Sequence, residues 1–363
     1  MTTQRIEQVR ATLESIGADA VILTSPANRR WATGFTSAPG VAFSPDVSVI
    51  TPAYVELLVA AIHADWARGE VAATTRIIAH KGQFVPSLTS YLNERAFNSV
   101  AIEADALPYP IARDIEVGVT NTRIEFVTGL RDQWRASKDE NEIASLERAA
   151  LVTDQVFAEI CSALTPGQTE ASVARRISAR LIENGDGDGL AFDVIVASGP
   201  NAARPHHRPG DREIQASEPI IIDMGARIDG YCGDLTRTLW LGGPDQRFRD
   251  MYAAVLEAQR ATKAVMTAGT PVRDVAAAAD RSLQQSGFGE YILHSVGHGV
   301  GLEIHESPAI RSDLDTVLPL DAVVTVEPGL YVPNWGGIRV EDVVVVGESD
   351  CRTLTTAPKL KFD

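Results

Sequence analysis

Residues 220–241 read IIIDMGARIDGYCGDLTRTLWL, the pattern of two strands joined by a tight turn. Pro219–Ile222 is a continuous apolar run, Asp229-Gly230 is a strong hairpin-turn pair, and Tyr231–Leu241 returns rich in Thr, Leu and Trp. The two internal acids, Asp223 and Asp234, lie eleven residues apart. With a two-residue loop at 229–230, Asp223 faces position 236, whose side chain shares a sheet face with Asp234. Both carboxylates then point to one side, within reach of a shared ion. Carboxylates held that close repel unless a proton or a cation separates them, and a cation is the expectation pursued here.

Working outward, a second pair follows the same geometry. Glu327 and Glu341 flank the turn Pro333–Gly337, and their numbers centre on residue 334 inside it. Between the two pairs lies His298, in Gly297-His-Gly299, with His305 seven residues later. The glycines are expected to let the backbone approach whatever the histidine holds. Four carboxylates and one imidazole make an oxygen-dominated set whose charge two divalent ions offset, and hard ligands favour manganese-like metals. Two ions about 3.5–4 Å apart can acidify a water and aim it at a carbonyl. Alone, each piece has a plainer explanation: a hairpin Asp is usually turn chemistry, and a lone His-Gly is usually structural. Only in combination do residue types, spacing and hairpin placement agree.

The rest of the chain sets bounds. Its 363 residues suggest two domains, and 45% apolar with 22% charged residues fits a globular protein. A net charge of −15 argues against nucleic acid or an anionic membrane as partner. Cys161, Cys232 and Cys351 show neither a disulfide framework nor thiolate-metal spacing, which favours a reducing cytoplasm. Ile6, Val9, Leu13 and Ile16 recur at helical spacing with charges between them, unlike an export signal, and no apolar run is long enough to span a membrane.

Residues 1–130 alternate helix and strand, with strands expected at Ala20–Leu23, Val47–Ile50, Arg76–Ala79 and Val100–Glu103; His63 and His80 read as surface histidines. Leu130–Asn141 reads as a charged, mostly polar connection. Helices follow at about Glu140–Leu164 and Thr169–Glu183, with Thr169 as N-cap and Thr153 the one polar member of the first apolar stripe. A strand at Ala191–Ala197, the loop 198–209 and the Asp223/Asp234 hairpin come next. Two more helices, Asp245–Met266 and Val272–Gln285, precede the β-rich remainder. Helix pair plus strands occurs twice, hinting at two similar halves without a repeat in letters. The expected class is α+β, with largely antiparallel strands and helices on one face, in domains 1–130 and 131–363.

Residues 190–346 closely resemble the pita-bread metallopeptidases: methionine aminopeptidase, aminopeptidase P and prolidase. The matching stretches are FDVIVASGPNAARPH (192–206), DMGARIDGYCGDLTRT (223–238), HSVGHGVGLEIH (294–305), TVEPGLY (325–331) and GIRVED (337–342). The resemblance implies a pita-bread catalytic domain behind a smaller creatinase-like α/β domain. It further implies that Asp223, Asp234, His298, Glu327 and Glu341 hold two divalent ions, Mn2+ first, with Co2+ or Zn2+ possible. His206 and His305 match the histidines that contact substrate and the tetrahedral intermediate. His294, Arg339 and NRRWATGF (28–35) point to the proline-specific branch. Asp321 departs from the pattern, standing where a Gly is common, and His207-Arg208 varies among relatives; no role attaches to either.

The activity so implied is hydrolysis of a bond whose nitrogen belongs to proline, a tertiary amide without the N–H that general peptidases grip. Glu327 would hold and move the proton of the attacking water, with His206 and His305 aiding the oxyanion and leaving nitrogen. Arg339 and Tyr231 would position substrate or supporting groups, a structural ion pair or core place being the alternative for each. An Xaa-Pro dipeptidase is the first choice. An aminopeptidase P acting on longer peptides is the nearest alternative, and a non-catalytic binding module on the same fold is the rival from another class. A homodimer is expected, the N-terminal domain helping to close the partner's site.

Overall fold

A computed structural model describes residues 2–36, 44–185 and 188–362. The chain divides into two compact units, Met1–Trp134 and Arg135–Asp363.

In the first unit, helix α1 (Thr2–Ile16) buries Ile6, Val9 and Leu13. Strands β1 (Ala20–Leu23), β2 (Val47–Ile50), β3 (Val55–Ala60), β4 (Thr75–His80), β5 (Ser99–Glu103) and β6 (Arg123–Val127) form a mixed sheet of order β4-β3-β2-β1-β5-β6. Helices α2 (Pro26–Thr33), α3 (Ala64–Glu70), α4 (Phe84–Asn93) and α5 (Tyr109–Gly118) connect them. Strands β3 and β6 were not expected from sequence. In β3 the pattern VELLVA is broken by Glu56, which is fully buried and bonded by Tyr91, Arg76 and Arg95, so its charge misleads. His63 is likewise no free surface group, since its Nδ1 lies 2.9 Å from the buried Asp46.

The stretch 130–141, expected to be a polar connection, is largely helical, and Leu130, Trp134, Arg135 and Lys138 within it are buried. Helix α6 covers Leu130–Arg135 and buries Leu130 and Trp134. Arg135 and Lys138 are buried because both reach Glu306: Arg135 directly, and Lys138 Nζ at 3.1 Å. Charged letters signalled solvent, but their partner lies some 170 residues on, where local composition cannot reveal it.

The second unit opens with α7 (Glu140–Ala163), capped by a reciprocal Asp139/Glu142 box, and α8 (Glu170–Asn184), capped by Thr169 as expected. Strand β7 covers only Ile195–Ser198, shorter than the expected 191–197 run. Strands β8 (Pro219–Met224), β9 (Arg227–Ile228), β10 (Tyr231–Cys232) and β11 (Leu235–Trp240) follow. Then come α9 (Gln246–Lys263), α10 (Val272–Gln285), β12 (Gly297–Gly299), β13 (Glu306–Ile310), β14 (Val323–Val326), β15 (Gly329–Val332), β16 (Gly336–Arg339), β17 (Asp342–Val346) and β18 (Cys351–Thr353). All strand ladders here are antiparallel. Helices α7 and α8 pack on β8 and β11 through Phe157, Ile177 and Ile222; α10 packs on β14 and β17 through Val275, Val324 and Val344.

Two long hairpins organise this unit, and each is broken once. In the first, Asp223 pairs with Thr236 and Ile228 with Tyr231, so one register runs from β8/β11 through β9/β10. Its turn has Asp229 at φ +49° and Gly230 at φ +78°, the paired left-handed conformation that an Asp-Gly turn supplies. At the break, Gly225 lies so close to the Gly233 carbonyl that a Cβ would fall 2.0 Å from its oxygen. In the second, Val326 pairs with Asp342 and Gly329 with Arg339, again one register across a gap. Glu327 and Glu341 face each other in that gap. Asp321 adopts φ +59°, which explains why glycine suits its place and why a short polar side chain is tolerated.

Candidate active site

The carboxylates gather where the two hairpins are broken. Asp223 and Asp234 are nearly buried, and Thr236, opposite Asp223, sends its hydroxyl hydrogen to Glu341 Oε2 at 2.7 Å. Glu341 is held by its own N–H to the Thr236 carbonyl at 3.0 Å, and Glu327 by its N–H to Val296 at 2.8 Å. Thr325 Oγ1 accepts the His298 N–H at 3.0 Å and lies 3.3 Å from Glu327 Oε1. Alternation along each strand puts these two threonines on the acids' face.

His298 sits with Nδ1 3.0 Å from the Gly299 carbonyl, so in the neutral ring Nδ1–H donates there and Nε2 carries the lone pair. That Nε2 faces Glu327 Oε1 at 3.3 Å and Asp234 Oδ2 at 3.7 Å. The flanking glycines serve the neighbouring strands rather than a ligand. A Cβ on Gly297 would meet the Thr325 carbonyl oxygen at 2.1 Å, and one on Gly299 the Ser307 oxygen at 2.4 Å.

Without a cation the cluster is electrostatically unsettled. Burial, then Glu341 and Asp223, push Asp234 well above the usual carboxylate range. Burial, then Glu327 and Asp223, raise Glu341 to about 8. Asp223 also rises through burial, despite Arg339. Glu327 goes the other way: burial pushes it up, but the hydrogen bond and charge of His298, whose ring is protonated in the cation-free cluster, outweigh that and hold it at about 2. Asp223 Oδ1 is buried with no hydrogen-bond partner. Ligand atoms of Asp234, His298 and Glu341 all lie within 4.8 Å of one another. An acceptor-only pocket with an orphaned oxygen and a pre-set imidazole lone pair fits a hard divalent cation.

Around this cluster runs a chain of hydrogen bonds. Arg339 is 3% exposed and donates from Nη2 to Asp223 (2.6 Å), from Nε to Thr236 (3.0 Å) and from Nη1 to Tyr331 (2.8 Å). Tyr331 Oη lies 2.7 Å from His294 Nε2, while His294 Nδ1 lies 2.7 Å from the Ser295 carbonyl. Burial lowers the His294 pKa, consistent with a neutral ring that accepts the tyrosine hydrogen. Tyr331 was missed in the sequence, although its place two residues after Gly329, the partner of Arg339, signals it. Arg339 therefore stands behind the acids rather than open to a substrate carboxylate. Tyr231 falls to the alternative considered for it: its hydroxyl donates to Glu142 Oε1 at 3.0 Å, against α7.

His305 is exposed, with its ring centre 4.3 Å from that of His298. His206 is also exposed, and its charge bears on both His294 and His305. The neighbouring His207, given no role from sequence, lies 2.8 Å from the buried Glu170. Glu170 also accepts from Ser198 and Asn201, so it ties down the loop that carries His206.

Comparison with known proteins now decides the family. Residues 144–348 match the model of metallopeptidase family M24, and residues 5–137 match the creatinase/prolidase N-terminal domain. The chain belongs to metallopeptidase family M24. The M24 chain is similar over 99% of both chains to a solved Xaa-Pro dipeptidase from Bacillus anthracis (TM-score 0.92, 30% identity). It is also similar to a solved X-Pro aminopeptidase from Thermotoga maritima (TM-score 0.88, 30% identity, 98% of this chain and 99% of that one). A third relative is an Xaa-Pro dipeptidase from Pyrococcus horikoshii, 29% identical over 354 residues and 97% of each chain. The pita-bread resemblance and the α+β class are borne out: this M24 enzyme is a metallopeptidase that uses a divalent metal and acts on peptides. No helix among the described residues is long and apolar enough to cross a membrane.

Proposed function

We propose that this M24 peptidase is a prolidase-like Xaa-Pro dipeptidase acting in the cytoplasm. Its substrates carry proline at the second position. Asp223, Asp234, His298, Glu327 and Glu341 would hold two divalent ions, Mn2+ first among them. The observation that carries this reading is the buried acid cluster, whose raised carboxylates, orphaned Asp223 oxygen and His298 Nε2 aimed at Glu327 and Asp234 call for cations. Relatives named Xaa-Pro dipeptidase supply the substrate class.

Bound divalent ions supply Lewis acidity and a water of lowered pKa. The remaining work falls to the chain. Glu327, set beside His298 and Thr325, is the carboxylate suited to take and return the proton of the attacking water. Arg339 fixes Asp223 and, through Tyr331, the His294 ring. His206 and His305, the exposed donors, would stabilise the developing oxyanion and protonate the leaving proline nitrogen, which has no N–H of its own.

Substrate length separates this reading from an aminopeptidase, which the similarity to the Thermotoga maritima enzyme keeps in play. Because Arg339 is committed to Asp223, recognition of the proline carboxylate has to come from a group other than Arg339. Xaa-Pro dipeptides should show higher kcat/KM than matching tripeptides, and amidating the proline carboxylate should cost about ten- to a hundredfold. Equal or faster cleavage of the amide or tripeptide makes the enzyme an aminopeptidase. A homodimer is also proposed, from an N-terminal unit that lacks the site's chemistry. Sedimentation at micromolar concentration should give twice the chain mass, and a fully active monomer would contradict it.

A further inference from the structure

At each of the two hairpin breaks one polar side chain from a helix bonds the strand backbone. At the first break, Thr153 of α7 accepts the Ala226 N–H at 3.0 Å while donating to Ala149. At the second, Gln259 of α9 donates from its single amide nitrogen to the Val326 carbonyl (3.0 Å) and the Val340 carbonyl (2.9 Å). Val326 and Val340 immediately precede Glu327 and Glu341. One planar amide thus spans the two strands at the gap where those carboxylates face each other.

The amide orientation is fixed. Gln259 is 2% exposed, and its Oε1 accepts from Lys359 Nζ at 2.5 Å, so a flip would set oxygen against two carbonyls and nitrogen against an ammonium. Lys359 is itself anchored on Asp342 at 2.6 Å, beside Lys263 (2.6 Å) and Arg237 (2.8 Å). Arg237 also donates to the Glu341 carbonyl. Both amide hydrogens of Gln259 are committed to the strands and the side chain is buried, so it does not touch substrate.

We infer that Gln259, aligned by Lys359, is a positioning residue that sets the spacing of Glu327 and Glu341, and hence the affinity of the site for divalent metal. The inference rests on the metal-ligand assignment above. Substituting Met for Gln259 keeps the volume but removes both donors, so the amide bridge between the two strands at the gap is lost. The strands then adjust, and the facing carboxylates lose their set distance. Outer-shell groups of this kind typically govern metal affinity by about ten- to a hundredfold.

The test is calorimetric titration of Mn2+ into the chelator-treated full chain. The variants are Gln259→Met, Lys359→Met and, as a control on the same helix, Thr262→Val, whose buried hydroxyl bonds only the Ala258 carbonyl (2.7 Å). Gln259→Met should weaken Mn2+ about ten- to a hundredfold, Lys359→Met should weaken it by about three- to tenfold, and Thr262→Val should leave it unchanged. Affinity within about twofold of the unaltered protein in Gln259→Met overturns the inference, as does an equal loss in Thr262→Val. Should Gln259→Met not fold, unchanged affinity in Lys359→Met overturns it instead. An unaltered chain that binds no Mn2+ overturns the ligand assignment and the inference with it, a result distinct from intact binding that ignores Gln259.

Discussion

Substituting Ala for Glu327 is expected to lower Xaa-Pro cleavage by on the order of a thousandfold or more and to reduce bound metal. The two losses have one source. Glu327 lies 3.3 Å from His298 Nε2 among the ligand candidates, so it both offers a ligand oxygen and is placed to accept a proton. Its neighbours Asp234 and Glu341 are pushed toward the protonated state by burial and by the surrounding carboxylates, and cannot substitute as a base without a cation. Circular dichroism should show the fold retained. Activity within about tenfold of the unaltered enzyme would remove Glu327 from the proton's path.

The second large effect lies away from the metal. Glu306 is 3% exposed, follows His305, and gathers Arg135, Lys138 Nζ and the Glu303 N–H (3.0 Å). Burial alone would raise its pKa, but Lys138 and Arg135 outweigh that and hold it at about 2. Glu306→Gln leaves two buried cations short of their shared anion, at a cost of about 3–5 kcal/mol. Arg135 keeps a contact with Glu303 at 3.0 Å, which favours the lower end. The folded pKa lies below the unfolded one, so this stability is complete above about pH 4.3 and lost as pH falls toward 2. Urea unfolding at pH 7 should separate the two proteins by that amount, and the gap should shrink between pH 4 and pH 2. A difference below about 1 kcal/mol at pH 7 would contradict the account.

What could be read from the sequence follows from what strand geometry preserves. The facing of Asp223 and 236, and of Glu327 and Glu341, needs only a turn and a period of two; the observed registers keep both. The breaks within those registers are invisible to such counting, because they arise where Gly225 and the 327/341 gap admit groups from helices. Arg339 was legible as a charge near the site, yet its target, Asp223, lies 116 residues away on the other hairpin. Arg135 and Lys138 mislead for the same reason: they look solvated until Glu306 is brought to them. Glu56 concealed β3 in the same way.

The most direct test of the central claim follows metal content and Gly-Pro hydrolysis together, in one preparation stripped by chelator and refilled stepwise with Mn2+. The account predicts no hydrolysis in the stripped enzyme and activity that rises with bound ion to a plateau near two per chain. Full hydrolysis after exhaustive removal of metal would contradict it.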